Sequence, residues 1–317
     1  MPETQPAQLF SFGTLTQPQV QHALFGGPVP SRPAGLPGHG LVDVPITDPD
    51  VIRLSGAAVH RGLARRVEEA VQGHVLTLST EQLAAADAYE VDAYVRRRVQ
   101  LTTISPGDEP EPRTGTAWAY VAADPLTAAE RIAVVGDSIA FGLDDPDGGW
   151  AGHLTRQHSN TYGRRVWNLA VPGLTLRQLT HHIDAETALR RVDTVVIAAG
   201  INDLAADHGP AHPAELVTMM DAMCTRLEGV GRRPVVLTPV WLDVKRASEQ
   251  FSMQVRLQDA ANYRDRLICW ATQTHRDVID LWPVLEGRTD RFTDGVHPDA
   301  EGHAQLWKRM APNPTAR

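Results

Sequence analysis

The chain has 317 residues, about twice the usual domain length of roughly 100–200 residues, so two domains are expected without being required. Apolar residues make up 42% and charged residues 21%, which excludes a mainly disordered chain and leaves material for a core. With 38 acids against 30 bases the net charge is -8, which argues against phosphate-backbone binding as the main task.

In chain order, the N-terminal stretch MPETQPAQLFSFGTL has neither a basic region nor a long apolar run, so no secretion signal is expected. Strand-like pieces follow at Leu9–Phe12, Leu41–Ile46, Gly73–Leu78, Val95–Thr102 and Ala117–Val121. Helical signals stand at Gln17–Leu24 and Thr80–Ala88, the second opened by Ser79 with Leu83 on its apolar side. Strands and helices do not alternate regularly here, so an α+β barrel or open sheet is expected. Ser105–Gly115 is rich in Pro, Gly and acid, as an exposed turn would be. The composition shifts near residues 124–130, which divides the chain into residues 1–124 and 125–317.

The second segment alternates clearly. Strands are expected at Ile132–Val135, Val166–Leu169, Thr194–Ala198, Pro234–Thr238 and Val278–Asp280. Helical stretches between and after them are Gly149–His158, Leu174–Asp184, Pro213–Glu228, Val255–Thr274 and Ala300–Met310. Short apolar strands separated by helices indicate a parallel sheet covered on both faces. Functional residues of such a sheet lie in loops at the carboxyl ends of its strands. Cys224 and Cys269 fall in helical stretches and form no C-x-x-C, so buried free thiols and a reducing, cytoplasmic setting are expected. No window approaches 18 uninterrupted apolar residues, so neither a membrane span nor a membrane partner is expected. Only Lys245 and Lys308 are lysines, the arginine bias of a GC-rich genome and not a functional cluster. Residues 1–125 hold 14 acids and 9 bases, net -5, and the remainder 24 and 21, net -3. Neither half is a hidden basic domain, so no nucleic-acid partner is expected.

The run RIAVVGDSIAFG places Ser138 just past an apolar strand at a glycine-containing turn, where a hydroxyl is exposed and a backbone N–H is free. Taken singly, a helix N-cap serine, which is common, explains it better. Three downstream features add to it. Gly173 in NLAVPGLT and Asn202 in GIND each follow a strand, and both could donate an N–H to one reacting oxygen. Asp294 stands three residues before His297 in DGVHP, a spacing at which a carboxylate can hold one imidazole nitrogen while the other takes a serine proton. Each piece alone could be a turn or a cap, but the four fall at sheet carboxyl ends in this order.

Those blocks, GDS at 136–138, the glycine in NLAVPG at 168–173, GIND at 200–203 and DGVHP at 294–298, resemble the SGNH or GDSL-type hydrolase family over roughly residues 130–310. The resemblance implies a flavodoxin-like three-layer α/β/α domain with a parallel sheet. It implies Ser138 as nucleophile, His297 as general base and acid, and Asp294 as its orienting carboxylate. The oxyanion hole would be the N–H groups of Ser138 and Gly173 with the Asn202 amide, and Asp137 is placed with substrate binding. Neither cofactor nor metal is implied, and the adjacent His181 and His182 face different ways on a helix, as surface residues do. The Gly-x-Ser-x-Gly lipase turn is absent, since Ala140 stands at its last position. The substrate expected is a small-molecule ester, small or sugar-linked. Trp150 is expected to anchor its helix to the sheet, while Trp241–Phe251 is open between a lid and an ordinary connection.

In the first segment, Phe12, Gly13, Thr14 and Leu15 form a tight turn that could present N–H groups to a carboxylate. Glu90 stands in an apolar and aromatic stretch, where a carboxyl can be buried with a raised pKa or, alternatively, paired with Arg96, Arg97 or Arg98. FGTL at 12–15, GHVLTLS at 73–79, AADAYE at 85–90, Tyr94 and AWAYV at 117–121 together resemble the gamma-glutamylcyclotransferase-like, or AIG2-like, family over residues 8–122. The stretch DPDVIRLSGAAVH at 48–60 suggests its bacterial branch. The resemblance implies a smaller α+β domain built on a β-barrel. It implies attack of a γ-glutamyl α-amine on its own amide to give 5-oxoproline, with Glu90 shuttling the proton and residues 12–15 holding the glutamyl group. Phe12 departs from the family's usual tyrosine. Three readings stay open for this half: an active cyclotransferase, a related γ-glutamyl reaction, or a non-catalytic binding or oligomerisation module.

Overall fold

The computed structural model describes residues 6–45, 49, 52, 53, 56–104, 112–205, 211–250 and 253–311. The chain separates into two units, Met1–Ala128 with Glu228–Arg232, and Ala129–Leu227 with Arg233–Arg317.

The first unit is a five-stranded closed barrel. Its elements are β1 (Ala7–Ser11), α1 (Pro18–Phe25), β2 (Ser31–Pro45), β3 (Val59–Leu78), α2 (Thr80–Tyr89), β4 (Tyr94–Ile104), β5 (Pro112–Ala122) and the short α3 (Pro125–Ala128). The strands run in the order β1-β3-β2-β4-β5, and β1 closes the barrel by meeting β5 in parallel at Leu9 and Trp118. Alternation along the strands decides which side chain goes where. Phe10, Leu36, Val75 and Ala119 join one apolar cluster, while their strand neighbours Leu9 and Leu76 join a second with Leu15, Val20 and Ala86 from the helical side. Helix α2 starts at a capping box in which Ser79 and Gln82 satisfy each other's backbone donors. The sequence expectation captured only the last third of β2 and of β3, which are 15 and 20 residues long. Residue 46, residues 105–111 and, within 48–60, residues 48, 50, 51, 54 and 55 lie outside the described residues.

In the second unit, β6 (Arg131–Gly136), β7 (Arg165–Asn168), β8 (Thr194–Ala198), β9 (Arg233–Leu237) and β10 (Asp277–Ile279) form one sheet in the order β10-β9-β8-β6-β7. Every neighbouring pair is parallel. The helices are α4 (Ser138–Phe141), α5 (Gly149–Ser159), α6 (Leu176–Leu189), α7 (Pro213–Gly229), α8 (Val244–Gln250), α9 (Leu257–Thr274), α10 (Trp282–Leu285) and α11 (Ala300–Met310). This is the flavodoxin-like strand order, in which the chain reverses direction across the sheet beside β6. Ala133 and Val135 of β6 pack in one core with Leu176, Met220 and Tyr263, and the alternating Ile132 and Val134 are fully buried on the other face. Helices α5 and α11 pack against each other. Cys224 is buried as expected, but Cys269 is exposed, because α9 turns only one side to the sheet.

Candidate active site

Strand order reverses beside β6, and Ser138 stands at the carboxyl end of that strand as the first residue of the one-turn helix α4. At that position its N–H has no partner within the helix. Its Oγ lies 2.8 Å from His297 Nε2, and His297 Nδ1 lies 2.6 Å from Asp294 Oδ2. The other Asp294 oxygen accepts the backbone N–H groups of Val296 and His297, both at 2.9 Å. A carboxylate so placed requires the Nδ1–H tautomer, which leaves Nε2 to accept the serine proton. Burial works to raise the Asp294 pKa, but the donors from His297 and Val296 outweigh it and hold the carboxyl below its ordinary value. Both reacting groups are shielded from water, with Ser138 8% and His297 0% exposed.

The two other blocks come to the same edge. Val171 N–H donates to the Gly136 carbonyl, and the Asn168 amide donates to the Ala140 carbonyl at 3.0 Å, which ties the loop after β7 to the nucleophile turn. Gly173 is exposed in that loop with φ +78, a left-handed conformation that favours glycine. Among the described residues no hydrogen bond engages its N–H. Half-buried Asn202 donates one Nδ2 hydrogen to the Leu174 carbonyl at 3.0 Å and keeps the other. Asp203, which sequence reasoning left out of the site, is buried and accepts the N–H groups of Leu176 at 2.6 Å and Arg177 at 3.3 Å. It therefore binds the start of α6, and with it the Gly173 loop, to the Asn202 turn. Burial raises its pKa despite those donors. Its place beside Asn202 was the available signal.

Asp137 turns inward. Its carboxylate accepts the Ile139 N–H at 3.0 Å as the cap of α4, and burial pushes its pKa up to about 6. With Trp150 and Thr238 it lines a cavity of about 30 Å³, far too small for an ester substrate. Trp150 is fully buried, as an anchor is. His181 is exposed. Among the described residues one group, Asp144, Asp294 and His297, brings metal-type donor atoms within 4.8 Å of one another. Both His297 nitrogens are already engaged by Ser138 and Asp294, so a cation there would have to break that chain.

In the first unit, Glu90 and residues 12–15 line one cavity of about 370 Å³ together with Arg61, Tyr94 and Tyr120. Glu90 is the C-cap of α2. Arg96 pairs with Asp87 at 2.8 Å, and among the described residues no cation pairs with Glu90. Burial pushes its carboxyl up to about 7. The same environment raises the Tyr94 hydroxyl, by burial first and then by the Glu90 charge. Thr14 and Leu15 open a 3-10 turn, so their N–H groups lack partners within it. The Leu15 side chain is 4% exposed in the helix-side core, so only its backbone is offered to the cavity.

Residues 134–305 match the family model described as GDSL-like Lipase/Acylhydrolase family. The chain belongs to the GDSL-like lipase/acylhydrolase family. Residues 9–137 match the model described as Gamma-glutamyl cyclotransferase, AIG2-like, so the barrel of this GDSL-like hydrolase is a second, AIG2-like region. Its solved relatives include a lipase/acylhydrolase from Enterococcus faecalis, 23% identical with a TM-score of 0.48, covering 57% of this chain and 93% of that one. A catalytic mutant of an acetylxylan esterase from Geobacillus stearothermophilus is 18% identical with a TM-score of 0.46, covering 57% and 91%. No curated protein matches the chain. No helix among the described residues is long and apolar enough to cross a membrane.

Proposed function

We propose that residues 125–317 hydrolyse a small or sugar-linked carboxylic ester through an acyl-Ser138 intermediate. The observation that carries this is the unbroken chain from Asp294 through His297 to Ser138, with contacts of 2.6 and 2.8 Å. Ser138 Oγ attacks the ester carbonyl as His297 Nε2 takes its proton, and negative charge moves to the carbonyl oxygen. The N–H groups of Ser138 and Gly173 with the free Asn202 amide hydrogen receive that oxygen, each such donor lowering the barrier by about 2.7–4 kcal/mol. The carbonyl re-forms, the C–O bond to the alcohol breaks, and the proton on His297 goes to the departing oxygen. Water then repeats the sequence on the acyl-serine and releases the acid. Asp294 holds the imidazole in its tautomer throughout. Ser138→Ala is expected to lower turnover of p-nitrophenyl acetate by about 10³-fold or more. Unchanged turnover overturns the assignment.

For residues 1–124 the reading best supported is a γ-glutamyl-processing site, because a half-buried Glu90, whose pKa burial pushes up to about 7, shares its cavity with the 12–15 turn. There the substrate's α-amine attacks its γ-carbonyl, Glu90 takes the amine proton and returns it to the leaving amine, and 5-oxoproline departs. The missing Phe12 hydroxyl leaves the backbone of the turn to hold the glutamyl group. The expected result is 5-oxoproline release from γ-glutamyl amino acids or amines, abolished by Glu90→Gln. If none of these compounds yields 5-oxoproline, a binding or oligomerisation role replaces it. A cytoplasmic location fits two cysteines that form no disulfide.

A further inference from the structure

We infer that Arg246 is a positioning residue for the hydrolase, holding the Asp294 carboxylate in line with His297. Nothing in the reaction written above uses this side chain, and it rests on that reading of the C-terminal site.

The segment after β9, open in sequence between a lid and an ordinary connection, is described as far as residue 250. It carries α8, and α8 lies against the loop that bears Asp294. The Arg246 guanidinium donates to three backbone carbonyls of that loop: Phe292 at 2.9 Å, Thr289 at 3.3 Å and Thr293 at 2.6 Å. Its Nε donates to Gln250 one turn further along α8, which fixes the stem. Asp243, just before α8, accepts the Arg246 N–H at 3.2 Å and gives its own N–H to the Gly295 carbonyl at 2.9 Å.

The residues on either side of Asp294 are thus gripped by the same short helix: Thr293 through Arg246, and Gly295 through Asp243. Gly295 fits this contact as no other residue would. Its φ is +94, and a Cβ there would stand 2.5 Å from the Ala247 nitrogen and 2.7 Å from the Asp243 carbonyl oxygen. A planar cation suits the task, because its fork of donors can serve several carbonyls at fixed angles where a lysine ammonium serves them one at a time.

Catalytic geometry tolerates little error: a displacement of about 1 Å costs roughly 10²-fold in rate. Arg246→Ala is therefore expected to lower kcat for p-nitrophenyl acetate by about 10–100-fold with KM changed by less than about threefold. Arg246→Lys, which restores one donor, should fall between. The decisive comparison is made in an Asp294→Asn background, where the carboxylate Arg246 serves is already gone. There Arg246→Ala should have almost no further effect, whereas a general structural role would give the same fold-loss in both backgrounds. If Arg246→Ala does not fold by circular dichroism, Arg246→Gln, which keeps most of the stem and one amide donor, carries the same two expectations. Wild-type kcat in the substituted protein, or equal losses in both backgrounds, overturns the inference. An active Ser138→Ala protein would instead overturn the esterase reading beneath it.

Discussion

Glu90 shows what placement alone does to a carboxyl group. Its ordinary value of 4.5 is pushed to about 7 chiefly by burial, with no cation to offset it among the described residues. The linkage has a definite sign. Below pH 4.5 the group is protonated in both folded and unfolded chains and has no effect. As pH rises from 4.5 through 7, the unfolded chain loses its proton first, so the native state is penalised by up to about 3 kcal/mol. Glu90→Gln is expected to raise the unfolding temperature at pH 8 and to leave it unchanged near pH 4.5, measured by calorimetry. A gain of equal size at both values would show that burial is not the cause. Glu90 was legible in sequence because it interrupts an apolar, aromatic stretch. Asp294 and His297 were legible because three residues of spacing suffice for their bond. Asp203 and Arg246 were not, since their partners lie 26 to 27 and 43 to 47 residues away and only the fold brings them together.

Among the elements, helix starts were readable where the cap is local. Ser79 with Gln82 satisfies its own helix end within four residues, and so does Thr175 with Gln178. The central strands β6, β8 and β9 were readable for a related reason: they are buried almost throughout and read as apolar runs, whereas the edge strand β7 has no buried residue. Strand β2 was largely hidden because Pro33, Gly35, Pro37, Gly38 and Gly40 read as loop. The fold accommodates them, since β2 pairs along its length with β3, steps across a register shift between Pro37 and His39, and bridges β4 only at Gly35. One long-range cap governs α6. The start of that helix depends on Asp203 as well as on its own capping box, so Asp203→Ala should destabilise the protein by about 1–2 kcal/mol. It should also lower kcat for p-nitrophenyl acetate, because the Gly173 loop would lose its tie to the Asn202 turn. Full activity with reduced stability would separate the helix cap from the oxyanion geometry.

At the scale of the whole molecule, length suggested two domains and each constellation of residues fell within one compact unit. The sheet of the second unit is held at its amino end as well as its carboxyl end. Arg233 at the start of β9 and Asp277 at the start of β10 are both 7% exposed and bonded at 2.6 and 3.0 Å. A buried pair of this kind fixes which strands are neighbours more than it adds net stability. The barrel is organised differently, and its closure bears on how the chain is made. The strand beginning at Ala7 has no partner until the strand ending at Leu78 has left the ribosome, and its second partner arrives only with Trp118. Trp118 lies 109 positions after Leu9 and must emerge before the last seam can form. Non-local closure of this kind is slow compared with helix formation, and it leaves strand edges unpaired while synthesis continues. The N-terminal half of a growing chain is thus exposed to misassociation for much of its time on the ribosome.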